Sequence, residues 1–164
     1  MGDFSPGVGP SLERRPEGEF SEHQRPVGDR GHVPVFRSTF KSRRCLIPAD
    51  GFYEWSGPEG HKRAMFFCLT DDVPFAFAGV FERWGEEGQA LDTCAFLTRG
   101  ANAVEKPIHK RMPVMLLTSE DFAAWLDGVV IPDPTDPALM TALAVGSRVN
   151  SPRNEGPECL EPAA

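Results

Sequence analysis

Apolar and polar positions alternate in short runs from Cys45 to Thr98, with turn residues between the runs. Cys45-Leu46-Ile47-Pro48 leads through Asp50-Gly51 into Phe52-Tyr53-Glu54-Trp55, which predicts strand, tight turn and strand, a hairpin over residues 45–55. Ser56 to Lys62 is a polar turn, and Ala64 to Leu69 reads as a largely apolar strand. The run FAFAGVFERW, Phe75 to Trp84, begins with alternation and ends before a glycine-bounded turn at 85–88; Leu91 to Thr98 gives another strand. Strands this close together, joined by tight turns, predict an α+β domain. Its sheet should be mostly antiparallel and curved or barrel-like, with a few short peripheral helices.

The flanking segments carry helical patterns. Val35 to Arg44 places apolar or small residues between basic ones and suits a short amphipathic helix entered from Pro34, basic side outward. Gly100 to Glu105 predicts one helical turn stopped by Pro107. The segment PIHKRMPVMLL then holds His109 in a loop between two prolines before a strand resumes over Met115 to Leu117. Thr118 starts a helix with Phe122, Trp125 and Leu126 on one face, ended by Gly128. Asp136-Pro137 starts a second short helix over Leu139 to Leu143, followed by a last strand over Ala144 to Val149 and a polar tail to Ala164. Residues 1–33 are rich in Gly and Pro without apolar periodicity. They are expected to be disordered, leaving one folded domain over 34–162.

Charge and cysteine usage narrow the function. A net charge of −7 argues against indiscriminate polyanion binding. Two basic groups stand out against it: Arg37, Lys41, Arg43 and Arg44, and Lys106, Lys110 and Arg111 around His109. Such patches can hold a nucleic-acid backbone, or form a solvated face. Cys45, Cys68, Cys94 and Cys159 form no C-x-x-C pair and have no histidine at zinc-ligand spacing. Neither a metal, a cofactor nor a disulfide framework is expected, and Cys45, Cys68 and Cys94 should be small buried hydrophobes. No apolar run approaches the ~20 residues of a membrane span, and no signal pattern opens the chain, so a cytoplasmic protein of the bacterial cytosol or nucleoid is expected.

Two titratable residues stand apart from the charge-dense stretches. In a pleated strand Glu54 shares its face with Phe52, so it is either an acid–base group beside an aromatic ring or an edge carboxylate reaching water. His109, flanked by Lys106, Lys110 and Arg111, is either a proton carrier held by its prolines or a surface imidazole. A third arrangement, a cysteine hydrolase of Cys45, Glu54 and His109, is conceivable because thiol, imidazole and carboxylate are all present.

The blocks RRCLIPADGFYEW, FAGVFERW, TCAFLTRGAN, PIHKRMPV and VNSPRNEGPECLEP occur in that order between Pro34 and Pro162. With them the chain resembles the SOS response-associated peptidase (SRAP) family, the abasic-site sensors of bacteria and eukaryotes. The resemblance implies autocatalytic removal of the initiator Met and a thiazolidine crosslink between an N-terminal cysteine and an abasic site in single-stranded DNA. It further implies that Glu54 handles protons at the amine and the sugar ring oxygen. His109 would assist ring opening, strand cleavage or reversal, and Thr98 and Arg111 would hold the DNA backbone; the basic run adds Arg37, Arg43 and Arg44 as candidates for the same surface. The chain departs from the pattern at its start, where Met1-Gly2-Asp3 stands in place of Met-Cys-Gly-Arg, and the family's early Trp-Gly-Leu-Ile-Pro-type and Asn-Ala-Arg motifs are missing. It therefore resembles an N-terminally truncated member, inactive in crosslinking as written and a monomer once the missing section is restored. A non-covalent single-stranded DNA-binding remnant is the alternative.

Overall fold

The computed structural model describes residues 24–26, 40–85, 90–128 and 132–163, with side chains described from residue 40 onward. Among these, nine strands make two sheets that do not close into a barrel. The larger sheet runs β1 (Gln24–Pro26), β6 (Leu91–Gly100), β5 (Phe75–Trp84), β2 (Arg44–Ala49). Strands β5 and β6 pair antiparallel from Gly79/Phe96 to Trp84/Leu91. Beyond that register β7 (Arg111–Pro113) pairs with β6 and β8 (Met115–Leu116) pairs with β5. Val114 between them, fully buried, accepts from Ala78 N at 2.9 Å and donates to Leu97 O at 2.8 Å. The smaller sheet is β3 (Phe52–Ser56), β4 (Arg63–Leu69), β9 (Met140–Val145), all antiparallel.

The period-2 alternation along the strands sorts side chains into layers. Phe75 and Phe77 of β5 and Phe67 and Leu69 of β4 turn inward with Met112, Met115 and Met140 to fill the space between the sheets. On the other face of the large sheet Ala78, Val80, Leu97, Val114 and Leu116 are covered by Trp125 from helix α1 (Ser119–Leu126). On the outer face of the small sheet Ala64, Phe66, Cys68 and Val145 pack with Tyr53 and Val149. Helix α1 starts as the sequence predicts. Thr118 Oγ1 accepts from Asp121 N at 3.1 Å, and Asp121 Oδ2 accepts from Thr118 N at 3.0 Å, a capping box that satisfies two otherwise orphaned donors.

Several expectations are corrected. Cys45 to Trp55 is not a hairpin, because β2 pairs with β5 in one sheet and β3 pairs with β4 in the other. The chain crosses between sheets at Asp50-Gly51. A Cβ on Gly51 would lie 2.1 Å from Phe66 Cζ and 2.6 Å from the Phe67 carbonyl oxygen, so this glycine serves a close approach to β4. The helix expected over Leu139 to Leu143 is instead the edge strand β9, preceded by a 3-10 turn over Pro137–Leu139; Met140 and Ala142 face the inter-sheet core, and β4 offers the pairing edge. The strand expected over Ala144 to Val149 correspondingly ends at Val145, and Ser147–Asn150 is a 3-10 turn. Residues 40–42 are helical, but Arg44 already belongs to β2, and the rest of the helix expected over Val35 to Arg44 lies outside the described residues. Within the N-terminal segment expected to be disordered, Gln24–Pro26 pairs in parallel with Phe96 to Thr98; the remainder of that segment lies outside the described residues. The polar tail folds back, with Gly146 N donating to Glu161 O at 2.9 Å and Ala163 N to Ala144 O at 3.1 Å. No helix among the described residues is long and apolar enough to cross a membrane.

Candidate functional site

Glu54 stands on β3 two residues beyond Phe52, which stacks on Phe67 in the inter-sheet core. The strand's pleat therefore aims the Glu54 carboxyl toward the rim of that core, opposite to Tyr53 and Trp55. Trp55 Nε1 donates instead to Asn150 Oδ1 at 2.7 Å. The loop between β6 and β7 closes over the same rim, with Ala101, Val104 and Ile108 packed on the core cluster.

Asn102 builds this loop. Its buried side chain accepts from Val104 N at 3.1 Å and Glu105 N at 3.2 Å through Oδ1, and donates from Nδ2 to Thr135 O at 3.0 Å. An asparagine tying backbone donors two and three residues on makes a compact turn without a long helix. Glu105 O then accepts from Ile108 N at 2.8 Å and His109 N at 2.9 Å. The turn sets Glu105 and His109 four residues apart on one side, facing Glu54.

His109 Nδ1 stands 3.7 Å from Glu54 Oε1, beyond hydrogen-bond length, with the His109 side chain 40% and the Glu54 side chain 19% exposed. The same nitrogen donates to Arg111 O at 2.7 Å. A carbonyl oxygen can only accept, so the neutral ring carries its proton on Nδ1 and presents Nε2 as a base. Arg111, at the start of β7, is clamped on β6: Nε donates to Thr98 Oγ1 at 2.9 Å, and Nη2 to Thr98 Oγ1 at 2.8 Å and Thr98 O at 2.6 Å. Burial lowers the Arg111 guanidinium's affinity for its proton from the usual range. Glu54, His109, Arg111 and Thr98 thus form one contiguous group.

The structure adds a residue that the sequence reading passed over. Glu105 is fully buried, and neither carboxyl oxygen has a hydrogen-bond partner. Burial, with the Glu54 charge adding to it, pushes its pKa up to about 8. Glu54, Glu105 and His109 each bring a ligand atom within 4.8 Å of the others, the spacing a divalent cation would use. With its proton on Nδ1 given to Arg111 O, His109 would offer a metal only its Nε2.

The other basic residues proposed from sequence are placed elsewhere. Arg44 lies over the rings of Phe40 and Trp125, 4.4 and 4.3 Å from their centroids, and donates to Phe40 O at 2.8 Å and Trp125 O at 2.9 Å. Those contacts fasten α1 to the large sheet. Arg43 forms an ion pair with Glu82, and Arg37 lies outside the described residues. The cluster at the rim holds no cysteine. Cys45 packs over Gly79, where an added Cβ would lie 2.8 Å from Sγ, and burial with the nearby Cys94 pushes its thiol up, toward the protonated form. Cys68 and Cys159 are buried, whereas Cys94 is exposed, contrary to the expectation of a buried hydrophobe.

Fold and site together define a class: an open two-sheet α+β domain with a carboxyl–imidazole pair at its rim beside an anchored arginine. Comparison with known proteins gives the family of the chain and supports its fold. The sequence profile of the SOS response associated peptidase (SRAP) family matches residues 30–152. The chain is 41% identical to the abasic site processing protein YoqW of Bacillus subtilis (strain 168), over 78% of this chain and 61% of that protein. It is 30% identical to the abasic site processing protein HMCES of Gallus gallus, over 74% of this chain and 44% of that one. A crystal structure of a protein from Bacteroides thetaiotaomicron superposes with a TM-score of 0.75 at 23% identity, covering 86% of this chain and 66% of the other, and supports the fold. The chain belongs to the SRAP family. It spans about three fifths of the length of the curated bacterial relatives it matches.

Proposed function

We propose that this chain carries the proton-transfer and DNA-holding part of an abasic-site processing protein acting on single-stranded DNA. The observation that carries the reading is the approach of Glu54 Oε1 to His109 Nδ1 at 3.7 Å, beside an arginine fixed on Thr98. An abasic-site aldehyde is already electrophilic. The protein's work is to hold an amine near it and to move protons, which one carboxyl and one imidazole can do. Glu54 serves the amine and the sugar ring oxygen, and His109, through Nε2, serves ring opening, strand cleavage or reversal. Arg111 meets the DNA backbone. Thr98, only 3% exposed, acts by orienting that guanidinium through its hydroxyl and carbonyl.

Thiazolidine formation joins the amine and thiol of one N-terminal cysteine to the aldehyde carbon and releases one water. None of Cys45, Cys68, Cys94 and Cys159 is an N-terminal residue in this sequence. The covalent step, and the self-removal of an initiator Met, therefore require an N-terminal cysteine from outside it. The raised Cys45 thiol and its place over Gly79 weigh against a cysteine hydrolase. Without the nucleophile the same surface holds single-stranded DNA reversibly. A denaturing gel with single-stranded DNA carrying one abasic site separates these outcomes. A covalent band from the chain fused to a family N-terminal section opening on cysteine, and none from the chain as written, is expected. A band from the chain as written would put the nucleophile elsewhere, and no band from either would overturn the reading.

A further inference from the structure

Glu105 is out of place by the ordinary rules of burial. A carboxyl with no exposure and no donor to either oxygen is costly when ionised, because nothing replaces the water it has lost. Among the described residues, the charged groups around it do not supply a partner. On its own loop Lys106 and Lys110 are exposed, and His109 commits its Nδ1 proton to Arg111 O. From β7, Arg111 is clamped on Thr98. From β3 comes Glu54, a second carboxyl whose oxygen lies within 4.8 Å of a Glu105 oxygen.

Of two neighbouring carboxyls, one fully buried and one partly exposed, the buried one keeps its proton and the exposed one carries the charge. We propose that Glu105 is a positioning residue that stays protonated beside an anionic Glu54, so that the pair carries a single negative charge. This rests on the reading of Glu54 as the site's proton carrier. Glu54, as the anion, takes a proton from the attacking amine and gives it to an oxygen of the sugar, while Glu105 keeps its own proton throughout, so the pair ends each cycle with the charge it began with. Asn102, whose Oδ1 accepts from Glu105 N at 3.2 Å, fixes the backbone from which this carboxyl projects.

The test needs no DNA, so its failure is separable from failure of the crosslinking reading. The full chain, labelled with carbon-13 at glutamate side-chain carboxyls, is titrated by nuclear magnetic resonance. Glu105→Gln identifies the Glu105 signal and removes its proton. The expected result is one carboxyl titrating near 8 that is absent in the variant. If Glu105→Gln does not fold, Glu54→Gln is read instead, and the Glu105 signal should then titrate at lower pH. Ordinary carboxyl titration of Glu105, or a Glu105 titration indifferent to replacement of Glu54, would overturn the proposal. So would stoichiometric uptake of zinc ions by the untreated chain at neutral pH that shifts both signals and is lost in both variants, since a cation would then occupy the place given to the proton.

Discussion

His109 donates its Nδ1 proton to the carbonyl oxygen of Arg111 at 2.7 Å, and Arg111 in turn grips Thr98 through its side chain. Backbone and side chain of one arginine thereby set both the imidazole and the cation of the site. Replacing Arg111 is accordingly expected to have two effects. Arg111→Ala removes three hydrogen bonds to Thr98 and should lower stability by about 1–3 kcal/mol, read as a shift in urea midpoint. It should also weaken single-stranded DNA binding and reduce the slope of log affinity against log salt by about one phosphate's worth. An unchanged slope would remove Arg111 from the DNA surface.

Arg44 is expected to behave differently. Its guanidinium joins Phe40 and Trp125 on the side of the sheet covered by α1, so Arg44→Ala should cost about 1–3 kcal/mol of stability through lost stacking and two lost hydrogen bonds. The salt dependence of DNA binding by the folded variant should match that of the parent. A reduced slope would return Arg44 to the DNA surface.

Stability should fall as the solution becomes more alkaline. The folded state holds the Glu105 proton more tightly than the unfolded chain does, with the pKa raised from 4.5 to about 8. Its stabilising contribution is full below the unfolded pKa and is lost as pH rises through the folded one, at up to about 1.4 kcal/mol per pH unit between them. Urea unfolding at several pH values across that window checks it. Glu105→Gln should flatten the slope, and an equally steep slope in the variant would assign it to another group.

The crossing between sheets depends on Gly51. Gly51→Ala brings a methyl group against the Phe66 ring and the Phe67 carbonyl and should cost about 1–3 kcal/mol, since the carbonyl belongs to a paired strand and has little room to move. A denaturation midpoint within error of the parent's would show that the crossing can be rebuilt.

That crossing also marks the limit of what the residue pattern conveys. Alternation located β2 to β6 closely, and Thr118 announced its helix, because side-chain period and cap chemistry are local. Asp50-Gly51 reads the same whether the next strand turns back on its predecessor or leaves for another sheet, since that choice is made by distant β4 and β5. Met140 to Val145 has a pattern compatible with a short helix, and only the open edge of β4 makes it a strand. Glu54 and His109 were legible as residue types in unusual settings, and the structure brings them together. Glu105 was not, because nothing in the order of residues reveals that a carboxyl in a polar-looking loop ends up without water or donor. Arg43 and Arg44 looked alike in a basic run, yet one pairs with Glu82 and the other packs on aromatic rings.

The central claim is that Glu54 moves the proton in chemistry at an abasic site. Its most direct test is the single-turnover rate of crosslinking by the chain joined to an N-terminal cysteine section, compared with Glu54→Gln in the same protein. Loss of an acid–base group predicts a rate lower by about 100-fold or more, with DNA affinity nearly unchanged. A variant that crosslinks as fast as the parent would contradict the account.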